Sequence, residues 1–138
     1  MPTILFLCVK NSGRSQVAEG LARALAPPGY EFLSAGSDPA VINPLAIQVL
    51  RDEGLDISHQ RAQGVDTIEL IDVDTVVTLC AEEVCPIVPG KVKRLHWPLP
   101  DPQDIKAFRS VRDELRRRLP TLWTPDSRSL RADGYQVR

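Results

Sequence analysis

The 138-residue chain lacks the features that mark a protein for export or for a membrane. Its start, MPTILFLC, has no basic n-region of the kind found in signal peptides, and no apolar run reaches the length of about 18 residues that a membrane span needs. A formal net charge of −1 gives no field that would attract nucleic acid or an anionic membrane. These absences predict a cytoplasmic protein that binds neither membranes nor nucleic acid.

Cysteine is scarce, since the chain contains only Cys8, Cys80 and Cys85. An odd number of cysteines without an export signal argues against a framework of structural disulfides. A free cysteine is commonly a small buried hydrophobe, so both core packing and thiol chemistry are open for each residue considered alone.

The remaining composition is that of an ordinary globular domain, with 43% hydrophobic and 25% charged residues. Segments of strand character alternate with segments of helical spacing: strands are expected at 3–8, 30–36, 74–80 and 91–97, and helices at 14–26, 43–54 and 104–119. This alternation predicts an α/β fold with a parallel sheet and helices on both faces. We expect one domain over residues 1–120 and a flexible polar tail over 121–138.

The segment VKNSGRS, residues 9–15, lies between the first predicted strand and the first predicted helix. Such a loop offers backbone N–H groups and the positive end of a helix dipole, which together bind anions. Gly13 permits a close backbone approach, Ser12 and Ser15 are compact donors, and the guanidinium of Arg14 can grip two oxygens of a tetrahedral oxyanion. The pattern is not the G-x-x-x-x-G-K-[ST] loop of nucleoside triphosphatases. It therefore predicts a different kind of oxyanion site.

Two of the three cysteines are expected at this site. Cys8 ends the first predicted strand and Cys80 ends the third, and ligands of parallel sheets bind beyond the carboxyl ends of the strands. The donors that hold an anion also favour the thiolate form of Cys8, which makes it a candidate nucleophile. The alternative is an ordinary strand-to-helix turn that a buried cysteine happens to precede.

Five motifs in fixed order carry a resemblance to a known family: CVKNSGRSQVAEG, SAG at 34–36, NP at 43–44, VVTLC at 76–80 and HWPLPDP at 96–102. Over about residues 3–119 the chain resembles the arsenate reductases built on the low-molecular-weight protein tyrosine phosphatase fold, of the three-cysteine, thioredoxin-coupled type or a close relative. The resemblance implies a four-stranded parallel sheet flanked by helices. It also implies a nucleophilic cysteine, Cys8, and an oxyanion-binding arginine, Arg14. The implied oxyanion loop comprises Val9, Lys10, Asn11, Ser12, Gly13, Arg14 and Ser15.

The same resemblance implies a reaction for arsenic detoxification. The Cys8 thiolate attacks arsenate, and Asp101 in the PDP segment protonates the departing oxygen. Cys80 then attacks the sulfur of Cys8 and arsenite leaves. Cys85 finally attacks Cys80, so that a Cys8–Cys80 disulfide becomes a Cys80–Cys85 disulfide that an external thiol can reduce.

The resemblance also implies the substrate, the oligomeric state and the reductant. Arsenate is the expected substrate, with phosphate or sulfate as analogues, and the protein is expected to be a monomer without a bound cofactor. Four residues separate Cys80 from Cys85, a spacing intermediate between those of different relatives, so the reductant is left open. Thioredoxin is expected first, with glutaredoxin, glutathione or another low-molecular-weight thiol as alternatives.

The resemblance also implies residues that support the loop, namely Asn11, Ser15, Glu19 and Ser34. Thioredoxin-linked relatives bind a monovalent cation behind the loop, and Asn11, Glu19 and Ser34 match three of its ligands. At the position of an expected carboxylate this chain has Gln63. The ligand set is therefore incomplete, and no metal site is predicted.

Two other functions remain open at this stage. A low-molecular-weight phosphatase would use Cys8, Arg14 and Asp101, but it would leave the other two cysteines without a role. In such enzymes aromatic residues follow the Asp-Pro pair, where this chain has Gln103 and Asp104.

The second alternative is a metal- or arsenite-binding sensor rather than an enzyme. Its ligands would be the three cysteines with His96. The absence of a Cys-x2-Cys pair argues against it.

Overall fold

The computed structural model describes residues 2–81, 88 and 90–124, whose strands form one parallel sheet in the order β2-β1-β3-β4. The strands are β1 (Thr3–Cys8), β2 (Glu31–Gly36), β3 (Thr75–Thr78) and β4 (Lys93–His96). Leu7 of β1 pairs with Ala35 on one side and with Thr78 on the other. Because all pairs are parallel, the carboxyl ends of the four strands meet at one edge of the sheet.

Three α-helices cover one face of this sheet. They are α1 (Arg14–Leu25), α2 (Pro44–Arg51) and α3 (Ile105–Arg118). Alternate residues of a strand point to the same face, and Ile4 and Phe6 of β1 accordingly share one buried cluster with side chains of all three helices. Asn43 caps α2 by accepting the Leu45 N–H at 2.9 Å, as its position before a proline predicts.

The opposite face is covered by shorter elements. Leu5, Leu7 and Val76 pack there with partly buried residues from two 3-10 helices, Val65–Thr67 and Leu70–Asp72. The predicted four-stranded parallel sheet with helices on both faces is confirmed. The difference is that, within the part of the chain described, the helices on this second face are 3-10 rather than α-helices.

Several predicted boundaries differ from the structure: α2 ends at Arg51 rather than at residue 54, and β4 spans Lys93–His96 rather than residues 91–97. The third strand ends at Thr78 rather than at Cys80. A further 3-10 helix, Leu119–Leu122, extends past residue 120, and the ring of Trp123 packs edge-on against Phe32 with centroids 5.9 Å apart. The packed chain therefore continues a few residues into the predicted tail, because that segment carries a large aromatic side chain to bury. Residues 125–138 lie outside the described part of the chain.

The topology predicts a binding site at the end of β1. The chain passes from β1 to β2 on one side and later returns to β3 on the other side, so the order of the strands reverses at β1. Ligands of open parallel sheets bind at such a reversal, beyond the carboxyl ends of the strands. Cys8 is the last residue of β1, and α1 begins six residues later at Arg14. None of the described helices is long and apolar enough to cross a membrane.

Candidate active site

The loop between β1 and α1 is held by hydrogen bonds to its carbonyl groups. Each carbonyl of residues 9–13 accepts a bond: Val9 O from Asp38 N (2.9 Å), Lys10 O from Ala40 N (2.8 Å), Asn11 O from Gln16 Nε2 (2.9 Å), Ser12 O from Asn43 N (2.8 Å) and Gly13 O from Val17 N (3.0 Å). Across a trans peptide the C=O and the next N–H point in opposite directions. The N–H groups of residues 10–14 therefore face away from these partners.

These N–H groups and the start of α1 give the loop the donors that a bound anion would need. Consecutive N–H groups and the positive end of a helix dipole both favour negative charge, and α1 begins directly after the loop. The predicted oxyanion-binding residues 9–15 thus lie together at the end of β1. The side chain of Lys10 is engaged elsewhere, because its ammonium group is paired with Asp38 at the surface.

The thiol of Cys8 lies at this loop and is hydrogen-bonded to the hydroxyl group of Ser15. Cys8 is a free cysteine with 2% exposure, and its Sγ is 2.9 Å from Ser15 Oγ. Asn11 Nδ2 donates to the same hydroxyl oxygen at 2.7 Å. Since the amide uses a lone pair of Ser15 Oγ, the hydroxyl hydrogen stays available for the sulfur. Asn11 and Ser15 thus form a chain of two hydrogen bonds that ends at the Cys8 sulfur.

The side chain of Arg14 contacts three residues that are distant from it in sequence: Leu79, Leu99 and Asp101. It is 4% exposed, and its Nη1 donates to Leu99 O at 2.8 Å and makes a longer contact of 3.5 Å with Leu79 O. Its Nη2 is 3.8 Å from Asp101 Oδ1. The predicted oxyanion-binding arginine and the predicted acid therefore lie side by side, although Asp101 itself is largely exposed to solvent.

Cys80 is buried close to the end of β1, although it no longer belongs to a strand. Leu79 N donates to Leu7 O at 2.9 Å, which continues the pairing of β3 with β1 by one residue. Cys80 follows directly, is 1% exposed, and is disulfide-bonded, whereas Cys8 is free. Cys85, the third predicted redox residue, lies outside the described residues.

Asn11 holds the strained point of the loop. Its φ of +51° is in the left-handed region, which Asn tolerates better than most residues. Its side-chain Oδ1 accepts from Gln63 N at 2.9 Å and from Gln16 Nε2 at 3.1 Å. The space beside it is tight, because a Cβ on Gly36 would lie 2.4 Å from Val9 O and 2.9 Å from Asn11 N. Gly36 is therefore required for β2 to pass the loop.

Two glutamines that the sequence did not single out support this loop. Gln16 is fully buried, and Gln60 Nε2 donates to Gln16 Oε1 at 2.7 Å and to Gln16 O at 3.2 Å. Nothing in the sequence pattern indicated that Gln16 is buried, since glutamine is mostly a surface residue. Its burial follows from the loop carbonyl that it must satisfy.

Glu19 and Ser34, the other predicted loop-supporting residues, form a buried pair behind the loop. The Ser34 hydroxyl donates to Glu19 Oε1, and Arg23 Nη2 is 2.6 Å from Glu19 Oε2. Burial raises the pKa of the Glu19 carboxyl above its ordinary value of 4.5, against the opposing effects of Ser34, Arg23 and His59.

This raised pKa predicts how stability depends on pH. The folded protein holds the Glu19 proton more tightly than the unfolded chain, so ionisation of Glu19 lowers the free energy of unfolding as pH rises above 4.5 through the raised value. In Glu19→Gln this component of the slope should vanish. Urea denaturation from pH 4.5 to about pH 7 should show the variant gaining stability relative to the parent as pH rises.

Glu114→Gln is the matched control for this measurement. Hydrogen bonding to Arg117 lowers the pKa of Glu114, so its contribution is lost only as pH falls below the ordinary value of 4.5. Above that pH its stability curve should run parallel to that of the parent. Parallel curves for Glu19→Gln would contradict the assignment.

The alternative metal site with His96 is not assembled by the described residues. His96 ends β4, and its Nδ1 is 2.6 Å from Thr78 Oγ1. No group of three or more His, Cys, Asp or Glu side chains comes together within residues 2–81, 88 and 90–124.

A family model described as low molecular weight phosphotyrosine protein phosphatase matches residues 3–135 of the chain. The chain belongs to this family. The match extends beyond the motifs quoted above and into the predicted tail. The loop after β1, with Cys8 and Arg14 at its two ends, is thus the loop of a phosphatase-family member.

Relatives of this chain include proteins that are named as arsenate reductases rather than as phosphatases. Arsenate reductase 1 of Staphylococcus epidermidis is 39% identical over 123 residues, which cover 86% of this chain and 93% of that protein. An arsenate reductase of Staphylococcus xylosus is 41% identical over 118 residues, covering 83% of this chain and 90% of that protein. The predicted resemblance to arsenate reductases on the phosphatase fold is confirmed.

Solved structures agree with these relatives. An arsenate reductase in the phosphate binding state has a TM-score of 0.80 and 32% identity, covering 88% of this chain and 96% of that one. A thioredoxin-dependent arsenate reductase of Corynebacterium glutamicum has a TM-score of 0.73 and 35% identity, covering 89% of this chain but 60% of that longer one.

Proposed function

We propose that this protein is an arsenate reductase that converts arsenate to arsenite with its own thiols. The observation that carries the proposal is the register of β1 and β3. It brings Cys80 beside the strand that ends at Cys8, because Thr78 pairs with Leu7 and Leu79 N still donates to Leu7 O directly before Cys80. Neighbouring strands are about 4.8 Å apart, so a small movement of the chain would bring the two sulfurs together. A hydrolytic phosphatase has no use for a second buried cysteine there.

The first step uses the loop after β1. The N–H groups of residues 10–14 and the guanidinium of Arg14 bind arsenate, as they would bind its analogues phosphate and sulfate. The Cys8 thiolate attacks arsenic and forms a sulfur–arsenic bond. Asp101 protonates the departing oxygen, which leaves as water. Its closeness to Arg14 and its exposure to solvent support this role, because the acid must reach the bound anion and then be reprotonated.

The second and third steps carry the electrons. The Cys80 thiolate attacks the sulfur of Cys8, the sulfur–arsenic bond breaks, and its electron pair stays on arsenic, which leaves as arsenite. Two thiols are thereby oxidised to a Cys8–Cys80 disulfide while arsenic(V) becomes arsenic(III). Cys85 then attacks Cys80 and releases the Cys8 thiolate.

An external thiol must reduce the enzyme after each turnover, and no bound cofactor is needed, since three cysteines carry the two electrons. We favour a thioredoxin-like dithiol because one similar structure is of a thioredoxin-dependent reductase. Glutaredoxin with glutathione, or another low-molecular-weight thiol, would serve the same chemistry. Cytoplasmic conditions, which keep thiols reduced, suit the relay. We also propose that the protein acts as a monomer.

Turnover with a panel of thiol donors tests the proposal. Purified protein with arsenate should release arsenite over many turnovers only when a donor is present, with a thioredoxin system giving the fastest rate. Without donor, release should stop after about one arsenite per protein, because the relay then has no reductant. Parallel assays with p-nitrophenyl phosphate distinguish the alternatives. Nitrophenol release without any arsenite would identify a phosphatase, and neither product would favour a binding protein.

A further inference from the structure

Two oxygens behind the loop, at residues that match a monovalent cation site, face donors of the protein itself. Asn11 Oδ1 accepts from Gln63 N at 2.9 Å and from Gln16 Nε2 at 3.1 Å. Ser34 O accepts from Gln63 Nε2 at 2.9 Å. An amide oxygen has two lone pairs, of which Gln63 N takes one; the other faces Gln16 Nε2, whose two hydrogens are shared among Asn11 Oδ1, Asn11 O and Arg61 O. A cation at this place would have to displace hydrogen bonds that are already made.

The charge of the residues that match the cation site, Asn11, Glu19 and Ser34, is balanced as well. Glu19 is the carboxylate among them, and Arg23 Nη2 lies 2.6 Å from its Oε2. The other carboxylate oxygen accepts the Ser34 hydroxyl. Arg23 is fixed in turn by donating to Phe32 O at 2.9 Å. A cation would gain little net attraction here, because the Arg23 guanidinium already neutralises the charge of the Glu19 carboxylate. The residues present therefore do not fit a bound cation.

The position of Gln63 explains how the site can do without the ion. The edge of β2 bridges to the segment at Gly64, and Gly36 N donates to Gln63 O at 3.0 Å. This pairing holds the Gln63 backbone in place, so that its N–H meets Asn11 and its side-chain amide meets Ser34. One residue thus links the loop to β2, which is the connection that a shared cation would otherwise make.

We propose that Gln63, with Gln16 and Arg23, replaces a monovalent cation behind the oxyanion loop, so that loop geometry and anion binding are independent of K⁺. These are positioning residues, since they act on the anion only through other residues: Gln63 and Gln16 through Asn11, and Arg23 through Glu19. The inference rests on the proposed function in treating this loop as the arsenate site. Its tests use phosphate binding and thermal stability, which remain informative even if the protein reduces no arsenate.

Replacing Gln63 with glutamate should make the thermal stability of the protein depend on K⁺. Gln63→Glu removes the donor to Ser34 O and adds a negative charge beside Asn11 and Ser34, so a cation should now bind there. Thermal unfolding is measured in KCl and in choline chloride at equal ionic strength. The Tm of the parent should be the same in both salts, whereas that of Gln63→Glu should rise by about 4 °C or more in KCl. Gln48→Glu, the same charge change at an exposed helix position, should show no difference between the salts.

A neutral variant tests the positioning role separately. Gln63→Met keeps a side chain of similar length but leaves Ser34 O without its donor. Its Kd for phosphate, measured by calorimetry, should rise about tenfold, and K⁺ should not restore it. A K⁺-dependent Tm or phosphate affinity in the parent would overturn the proposal. So would a Gln63→Glu protein that is indifferent to K⁺, or a Gln63→Met protein that binds phosphate as the parent does.

Discussion

Replacing Cys80 by serine should reduce the steady-state release of arsenite by about 10³-fold or more, to background. A serine hydroxyl cannot attack the sulfur of Cys8 and form a disulfide, so the arsenic adduct would have no route to arsenite. The first step needs only the loop, Cys8, Arg14 and Asp101, none of which the substitution removes. Hydrolysis of p-nitrophenyl phosphate, where the parent shows it, should therefore persist in Cys80→Ser.

A companion variant orders the two disulfide steps. Cys85→Ser should complete one turnover and then stop, and mass mapping should find Cys8 joined to Cys80. The parent treated with arsenate and no donor should instead contain Cys80 joined to Cys85. Ala81→Ser, which adds a hydroxyl at the next position and keeps all three thiols, controls for the side-chain change. Undiminished arsenite release by Cys80→Ser, or neither disulfide after a turnover, would contradict the relay.

Gly36→Ala adds only one methyl group, but it should weaken anion binding strongly. The added Cβ would lie 2.4 Å from Val9 O and 2.9 Å from Asn11 N, and both neighbours are backbone atoms that cannot rotate away. The loop must then shift relative to β2, and its N–H groups shift with it. We expect a stability loss of about 1–3 kcal/mol from overpacking. We also expect the Kd for phosphate to rise at least about tenfold, because fixed donors are effective only when they meet the anion in the right geometry.

Gly29→Ala separates these two effects. Gly29 lies in the turn before β2, has a φ of +101°, and has nothing within 4 Å of an added Cβ. Alanine should cost about 1–2 kcal/mol there through backbone strain alone. Calorimetric titration should find its phosphate affinity unchanged. Equal losses of phosphate affinity in both variants would show that general destabilisation, rather than the contact with Val9 and Asn11, weakens the loop.

Local pattern predicted the elements of this fold well, because each has a local cause. The buried run TILFLC became β1, and Asn43 before Pro44 marked the start of α2. The loop after β1 could be recognised as a candidate anion site, since a strand, a glycine, an arginine and a helix follow one another there. The end of β3 was placed two residues late, because Cys80 is as buried as a strand residue without being in the strand.

The partners of the loop could not be predicted in the same way. Asp38 and Ala40 bond the loop through backbone N–H groups, which any residue other than proline possesses, so their side chains carry no signal. Gln16 looked like a surface residue of α1, and its burial depends on a carbonyl that only the folded loop turns towards it. Arg14 was recognised as an anion ligand, but its contacts with Leu79 and Leu99 depend on long-range packing.

The pairing of residues 63 and 64 with β2 also affects how the protein meets other copies of itself. β2 and β4 are the two outer strands of the sheet, and an open outer strand invites another chain to pair with it. The bridge from Gly36 to Gly64 and the amide of Gln63 occupy the outer side of β2 near its carboxyl end. β4 instead exposes Lys93 and Arg94, whose charges disfavour strand addition. The segment that braces the oxyanion loop thus also protects the sheet against aggregation through its edge.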